Sequence, residues 1–225
     1  MKYVPNNINY GKFFYILLAI SLLVGFYFNE DGSGGGAFAD FYLTHKFNIA
    51  LKENLYFTLI NSHIVGGTDH FPLGHYLVSL VLFITEDEYF VRLIFCILFL
   101  SIPYLFYLNL ITKFPKINKS ILLFFACIIF LIPAYRYSAI WTSDHNTASI
   151  FFLLSTLFFL KWEREKNYNN LNSNIILNVF FLALALYCRQ YYSIIFLYFM
   201  LIYFQKLNLI TFIKLSLFVF LLSLP

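Results

Sequence analysis

The chain has 225 residues, of which 61% are hydrophobic, 22% aromatic and only 12% charged. Soluble domains carry roughly a quarter charged residues, so an aqueous fold could not hide this much apolar surface and a membrane protein is expected. The net charge of +4 is therefore interpreted by position, as membrane topology, and not as a sign of nucleic-acid binding.

Eight apolar segments with few charges follow one another along the chain. They occupy residues 13–28, 71–84, 89–111, 120–137, 147–162, 174–188, 191–205 and 209–225. Each segment predicts a helix, because a helix satisfies its own backbone hydrogen bonds in lipid. Three cysteines (Cys96, Cys127 and Cys188) lie inside these apolar runs without a paired spacing, which argues against a disulfide framework or a zinc site.

The segment 71–84 decides the predicted topology. If it spans and the N-terminus is cytoplasmic, five Lys and Arg residues lie inside and ten outside, against the positive-inside rule. If it lies on the outer face as a non-spanning helix, the count becomes ten inside and five outside. A model in which all segments span and the N-terminus is outside also scores ten to five. We rank that model second, because it puts Lys2 and Lys12 on the wrong side of the first span.

The preferred prediction is an all-α, polytopic transmembrane bundle of about seven spans, with amphipathic and hydrophobic juxtamembrane helices in the first outer loop. Residues 1–225 form one membrane-embedded module, with the outer loop at 29–88 and a truncated C-terminus. All five Asp and all five His residues then lie outside. Arg92, Arg136 and Arg189 also lie at outer membrane ends, against the usual preference for arginine, and this placement suggests a functional role for them.

The first outer loop contains a glycine-rich run that is followed by an amphipathic segment. The run at residues 30–36 predicts a flexible linker, with a phosphate-binding backbone nest as the alternative. Asp40 stands in the first turn of the predicted interfacial helix that follows. It is either a carboxylate stabilised by the helix dipole or a functional acid.

A second polar run, Asp69-His70-Phe71-Pro72-Leu73-Gly74-His75-Tyr76-Leu77, leads into the segment 71–84. His70 and His75 are five residues apart and share a helix face poorly, which weakens a two-histidine metal site. This run resembles the first-loop motif of protein O-mannosyltransferases and is similar to that of bacterial enzymes that glycosylate lipid A, such as aminoarabinose transferases. These families belong to the GT-C class of membrane glycosyltransferases. Phe71 stands where the family has a first proline, and His75 where it has a lysine.

The resemblance extends over residues 11–200. Asp40 precedes the proline motif, Arg92 opens the next helix, and Asp144 follows the helix after that, in Trp141-Thr-Ser-Asp-His-Asn. The resemblance implies a sugar donor linked to a polyprenyl phosphate. It also implies an acceptor of unknown identity at the outer face of a bacterial-type cytoplasmic membrane. It also implies Asp40 and Asp144 as catalytic carboxylates, with Asp40 as the base. We predict His70, His75, Arg92, Arg136 and Arg189 as substrate-binding residues, the last two because guanidinium groups at the outer face could neutralise the donor phosphate.

Each of these residues also has a purely structural interpretation. Ser143, Asp144 or Asn146 could cap the helix that starts near residue 147. Arg189 could snorkel among aromatic residues at the interface, or its guanidinium fork could clamp a phosphate. No cofactor is certain, although Asp144 could bind a divalent ion. The alternative function classes are a multi-pass transporter or flippase and a non-enzymatic membrane assembly protein of cell-envelope polysaccharide synthesis.

Overall fold

The computed structural model describes residues 10–61, 73–166 and 170–223, and within these ranges the chain is helical and contains no strand. The α-helices in chain order are α1 (Tyr10–Tyr27), α2 (Gly36–Glu53), α3 (Leu55–Ile60), α4 (Leu73–Leu82), α5 (Glu88–Phe99), α6 (Ser101–Lys113), α7 (Lys119–Ala126), α8 (Pro133–Ile140), α9 (Asp144–Glu165), α10 (Ser173–Cys188), α11 (Ser193–Lys206) and α12 (Leu209–Ser223). Two short 3₁₀ helices, Cys127–Leu131 and Gln190–Tyr192, precede α8 and α11.

Short polar side chains begin several of these helices by accepting hydrogen bonds from otherwise unpaired backbone amides. Asp87 caps α5, Asn118 caps α7 and Asn172 caps α10. Ser143 caps α9, accepting from the amide of His145, so Asp144 is the first helical residue. Of the capping alternatives considered at this position, the structure selects Ser143.

Two helices in the described ranges are long and apolar enough to cross a membrane: α1, and the continuous pair α5–α6 from Glu88 to Lys113. The segment 119–140 counts as a third if its two halves, bent by 69° at Pro133, form one broken span. Proline lacks the amide proton that would continue the helix, which explains the break. Length and composition therefore support two or three spans and do not support the predicted seven.

The reason for this lower count lies in the C-terminal half of the chain. A span needs about 20 apolar residues. Helices α10, α11 and α12 have 16, 14 and 15 residues. Helix α9 has 22 residues but carries charged side chains in its first and last turns.

Two apolar clusters hold the helices together. The first packs α1, α4, α5 and α8 around Leu22, Val91, Phe99 and Ile140. The second packs α9 to α12, with Trp162 and Tyr203 among its largest fully buried side chains. Helix α9 packs along α10 and also against α6, and so it joins the two clusters.

The ion pairs of the described residues gather at opposite ends of the molecule. At the lysine end, Lys113 and Lys206 both pair with Glu163, at 3.4 and 3.2 Å. At the arginine end lie Arg92, Arg136, Asp144 and Arg189. The two ends are separated by the length of α9, which has Asp144 in its first turn and Glu163 in its last.

Both ends of α4 lie at the arginine end. A Cβ built on Gly74 would stand 2.6 Å from Cβ of Asp144. The chain leaving α4 enters α5, where the Arg92 side chain reaches the carbonyl of Ile140. The 10 residues of α4 rise only about 15 Å, half the hydrocarbon thickness of a bilayer. Helix α4 therefore does not run from one end of the molecule to the other.

Candidate functional site

The centre of the arginine end is the corner between α8 and α9, residues 140–144. Thr142 turns the chain with a positive φ of 55°. The amide of Ser143 donates to the carbonyl of Ser138 at 2.9 Å, which closes the turn. This corner presents the carbonyl of Ile140, the Trp141 ring and the Asp144 carboxylate to three different neighbouring segments.

Asp144 and Arg189 form an ion pair between the start of α9 and the end of α10. The Asp144 side chain is 7% exposed and that of Arg189 is 20% exposed. The Arg189 Nη2 donates to Asp144 Oδ1, whereas the buried Arg189 Nε has no hydrogen-bond acceptor among the residues that the structure describes. The structure thus brings these two predicted site residues together, and their charges neutralise each other.

The start of α4 completes this cluster. Gly74 lies against Asp144 so closely that a larger residue would collide with it. The neighbouring His75 is buried and meets the ring of Phe47 on α2 edge-on, with ring centroids 5.6 Å apart. Helix α4 therefore connects the Asp144 cluster with α2, the helix that carries Asp40.

Asp40 is exposed on α2. At 100° per residue, it lies about 20° around the helix axis from Phe47 and about 160° from Phe38. Phe47 faces α4, whereas Phe38 packs against Trp141 at 5.1 Å. Asp40 thus lies on the same side of α2 as Phe47, about 10 Å away along the helix axis, and is exposed, while the Asp144 carboxylate is bonded to Arg189.

Arg136 is held by Glu30 in a two-pronged ion pair. Its Nε donates to Glu30 Oε1 at 2.7 Å and its Nη2 donates to Glu30 Oε2 at 2.5 Å. The Arg136 hydrogen bonds lower the pKa of the Glu30 carboxyl, and partial burial opposes this only in part. Gly25 gives the pair its room, since a Cβ there would lie 2.3 Å from Glu30 Oε2. The fork of Arg136 is therefore occupied inside the protein.

Arg92 joins four segments. Its Nε donates to the Ile140 carbonyl at 3.0 Å and its Nη2 donates to Asn29 Oδ1 at 2.9 Å. Its guanidinium stacks 3.7 Å from the centroid of the Trp141 ring. It also lines a pocket of about 370 Å³, together with Tyr42 on α2 and other residues of this end. These contacts give Arg92, the fifth residue of α5, a structural role.

The glycine-rich run forms a capped turn before α2. The Asp31 carboxylate accepts from the amides of Ser33 and Phe38, both at 2.9 Å. Gly34 and Gly35 have φ values of 71° and 99°, which glycine adopts without steric cost. Desolvation, the largest single effect, raises the pKa of Asp31, but its hydrogen bonds together outweigh it and lower that pKa. Asp31 therefore uses amide donors that a bound phosphate would need here.

Two histidines at this end were not singled out from the sequence. His45, on α2, is buried and its Nε2 lies 3.5 Å from a Glu88 carboxylate oxygen. His145, beside Asp144, has Nδ1 3.3 Å from the Tyr191 hydroxyl. Both contacts link segments far apart in sequence. The position of His145 next to Asp144 was the only sequence signal for the second contact.

The divalent ion considered for Asp144 does not fit the described residues. Within them, no group of three or more His, Cys, Asp or Glu side chains is arranged to hold a metal. Asp144 is also neutralised by Arg189, which a cation would have to displace. The predicted substrate-binding residue His70 lies outside the described residues.

Comparison with known proteins adds no relative to this description. No family model, no curated protein and no solved structure matches the chain.

Proposed function

We propose that this chain is a membrane glycosyltransferase of the GT-C kind, which moves a sugar from a polyprenyl-phosphate donor to an acceptor hydroxyl at one membrane face. The observation that carries the proposal is the convergence of α2, α4, α9 and α10 at the arginine end. This convergence puts Asp144, Arg189 and His75 in one neighbourhood, and the Asp40 carboxylate is exposed on α2, which packs against α4.

In the proposed membrane arrangement, seven segments cross and α4 lies at the outer surface. Helix α9, with 22 residues, would be about 33 Å long, enough to cross the hydrocarbon core. Helices α10 to α12 are shorter, and they would cross with the help of flanking residues and local thinning of the bilayer. The arginine end then faces outward and the lysine end faces the cytoplasm, in line with the positive-inside rule.

The donor phosphate is assigned to Arg189 in preference to Arg136. Both prongs of Arg136 are taken by Glu30. Arg189 contacts Asp144 only through Nη2, and its buried Nε has no acceptor within the described part of the chain. A buried donor without a partner costs about 1–3 kcal/mol, so a phosphate oxygen that accepts from Nε would recover that energy on binding.

The proposed reaction is a single displacement at the anomeric carbon. The acceptor oxygen forms a bond to that carbon while the bond from carbon to the phosphate oxygen breaks, and the configuration inverts. The hydroxyl proton passes to the Asp40 carboxylate, which acts as general base. The electron pair of the broken bond stays on the polyprenyl phosphate, whose added negative charge is stabilised by Arg189. Asp144 orients Arg189, and no metal is required in this scheme.

Transfer of labelled sugar by the purified chain in vesicles tests the proposal. The donors are radiolabelled polyprenyl-phosphate hexoses and pentoses, and the acceptor is a bacterial envelope extract. We expect Asp40→Asn to lower the rate about 10²- to 10⁴-fold, the usual worth of a general base. Glu53→Gln removes another exposed carboxylate of α2 and should leave the rate unchanged. Full activity of Asp40→Asn would exclude Asp40 as the base, and no transfer from any donor would contradict the function.

A further inference from the structure

A pocket at the lysine end lies far from the proposed catalytic site. It opens between α1, α6 and α7 and has a volume of about 360 Å³. Its lining residues include Lys12, Ile16, Tyr104, Tyr107 and Lys119. Cationic, hydroxyl-bearing and apolar side chains thus line one cavity. Its walls include α1 and α6, which belong to the two helices long enough to cross a membrane.

The charge of this pocket is positive. Lys12 on α1 and Lys119 at the start of α7 stand on two of its walls, and no acidic residue is among its described lining residues. Lys119 also lines an adjoining pocket of about 330 Å³, which contains Arg164. Lys119 therefore lines two neighbouring pockets, with Lys12 in the first and Arg164 in the second. These cations complement phosphate groups at a membrane surface.

The surface beside the pocket is apolar. On α1, Phe13 and Ile16 are each 58% exposed, and Ile20 is 53% exposed. On α7, Ile121 and Phe124 are exposed to a similar extent. These side chains lead away from the basic pocket along the flanks of α1 and α7. A ligand that fits both regions has an anionic head and one or more hydrocarbon chains.

We propose that this pocket binds the headgroup phosphate of an anionic phospholipid. Lys12 and Lys119 neutralise the phosphate, the hydroxyls of Tyr104 and Tyr107 donate to its oxygens, and the acyl chains lie against the exposed apolar residues of α1 and α7. Basic pockets between membrane helices bind anionic headgroups by this combination of charge and geometry. The lipid would hold α1 against α6 and α7, and its binding does not depend on glycosyl transfer.

Native mass spectrometry of the full chain tests the proposal. The protein is incubated in detergent with equal amounts of phosphatidylglycerol and phosphatidylcholine and is then released from the detergent in the spectrometer. We expect the wild type to retain phosphatidylglycerol preferentially. Each basic residue near a membrane surface contributes about fivefold in affinity for anionic lipid. The Lys12→Gln/Lys119→Gln variant should therefore bind phosphatidylglycerol about 25-fold more weakly than the wild type.

Two further variants separate a specific site from general electrostatic attraction and from misfolding. Lys161→Gln/Lys166→Gln removes the same charge from exposed positions at the same end and should retain the lipid preference. Lys12→Arg/Lys119→Arg keeps the charge and should also retain it. Equal retention of the two lipids by the wild type, or an equal loss in both glutamine variants, would overturn the proposal.

Discussion

The pairing of Asp144 with Arg189 makes a stability prediction that does not depend on catalysis. Removing one partner of a buried ion pair leaves the other charge buried and unpaired, which costs about 3–5 kcal/mol. The Arg189 side chain is 20% exposed and can recover part of its hydration. We therefore expect Asp144→Asn to lower the free energy of unfolding by about 2–3 kcal/mol.

A double-mutant cycle isolates the pair from other effects of Asp144. This carboxylate also lies in the first turn of α9, where the helix dipole favours negative charge by up to about 1 kcal/mol. That contribution is lost in both Asp144→Asn and the double variant, so it cancels in the cycle. With Arg189→Gln as the second change, we expect a coupling energy of at least about 1 kcal/mol.

The free energy of unfolding of each variant is measured by titrating sodium dodecyl sulfate into mixed micelles. Circular dichroism at a helix wavelength reports the fraction unfolded. Asp40→Asn is the matched control, because it removes an exposed carboxylate and should change stability by less than about 0.5 kcal/mol. A coupling energy indistinguishable from zero would mean that Asp144 and Arg189 do not pair. The orientation of Arg189 in the proposed site would then have no basis.

Three further predictions concern the other contacts of the arginine end. Alanine in place of a helical glycine normally stabilises a protein by about 1 kcal/mol. Gly25→Ala should nevertheless lower the melting temperature, because the new Cβ would lie 2.3 Å from the Glu30 carboxylate. A higher melting temperature would refute this prediction. Because the pKa of Glu30 is lowered, its ion pair with Arg136 stabilises the fold fully above the ordinary pKa of 4.5, and this stabilisation is lost as the pH falls through the lowered pKa. The difference in unfolding free energy between wild type and Glu30→Gln should therefore shrink to zero on acidification. A difference that stays constant would contradict the pairing. Arg92→Lys keeps the charge but loses the guanidinium fork that joins the Ile140 carbonyl to Asn29. We expect it to lower the free energy of unfolding by about 1–3 kcal/mol in the same experiment. An unchanged free energy would show that the fork is dispensable.

The sequence indicates where helices occur better than how their polar residues pair. Apolar runs at 120–137 and 147–162 fall on α7, α8 and α9, because apolar composition and helix formation in lipid are directly linked. The 69° bend within 119–140 could have been read from Pro133, which interrupts an otherwise continuous apolar run.

The pairings of the candidate site are less accessible to sequence reasoning. Glu30 and Arg136 are 106 residues apart, and only the packing of α1 against α8 brings them together. Sequence alone treats Arg136 as an unpaired cation and predicts a phosphate ligand for it. Asp31 has a local signal, since an aspartate that precedes a helix commonly accepts backbone amides. The sequence therefore predicts which residues gather at one end, and tertiary contacts decide which of them remain available to a substrate.

The central claim is that α4 and the Asp144–Arg189 pair share one membrane face. Labelling of single cysteines in intact cells with a membrane-impermeant thiol reagent tests this claim most directly. The native Cys96, Cys127 and Cys188 are buried and serve as an unlabelled background. We predict that Glu86→Cys and Gln190→Cys react from outside, whereas Lys116→Cys at the lysine end reacts only after the membrane is opened. Labelling of positions 86 and 190 from opposite sides would separate α4 and Asp40 from Arg189 and contradict a single site.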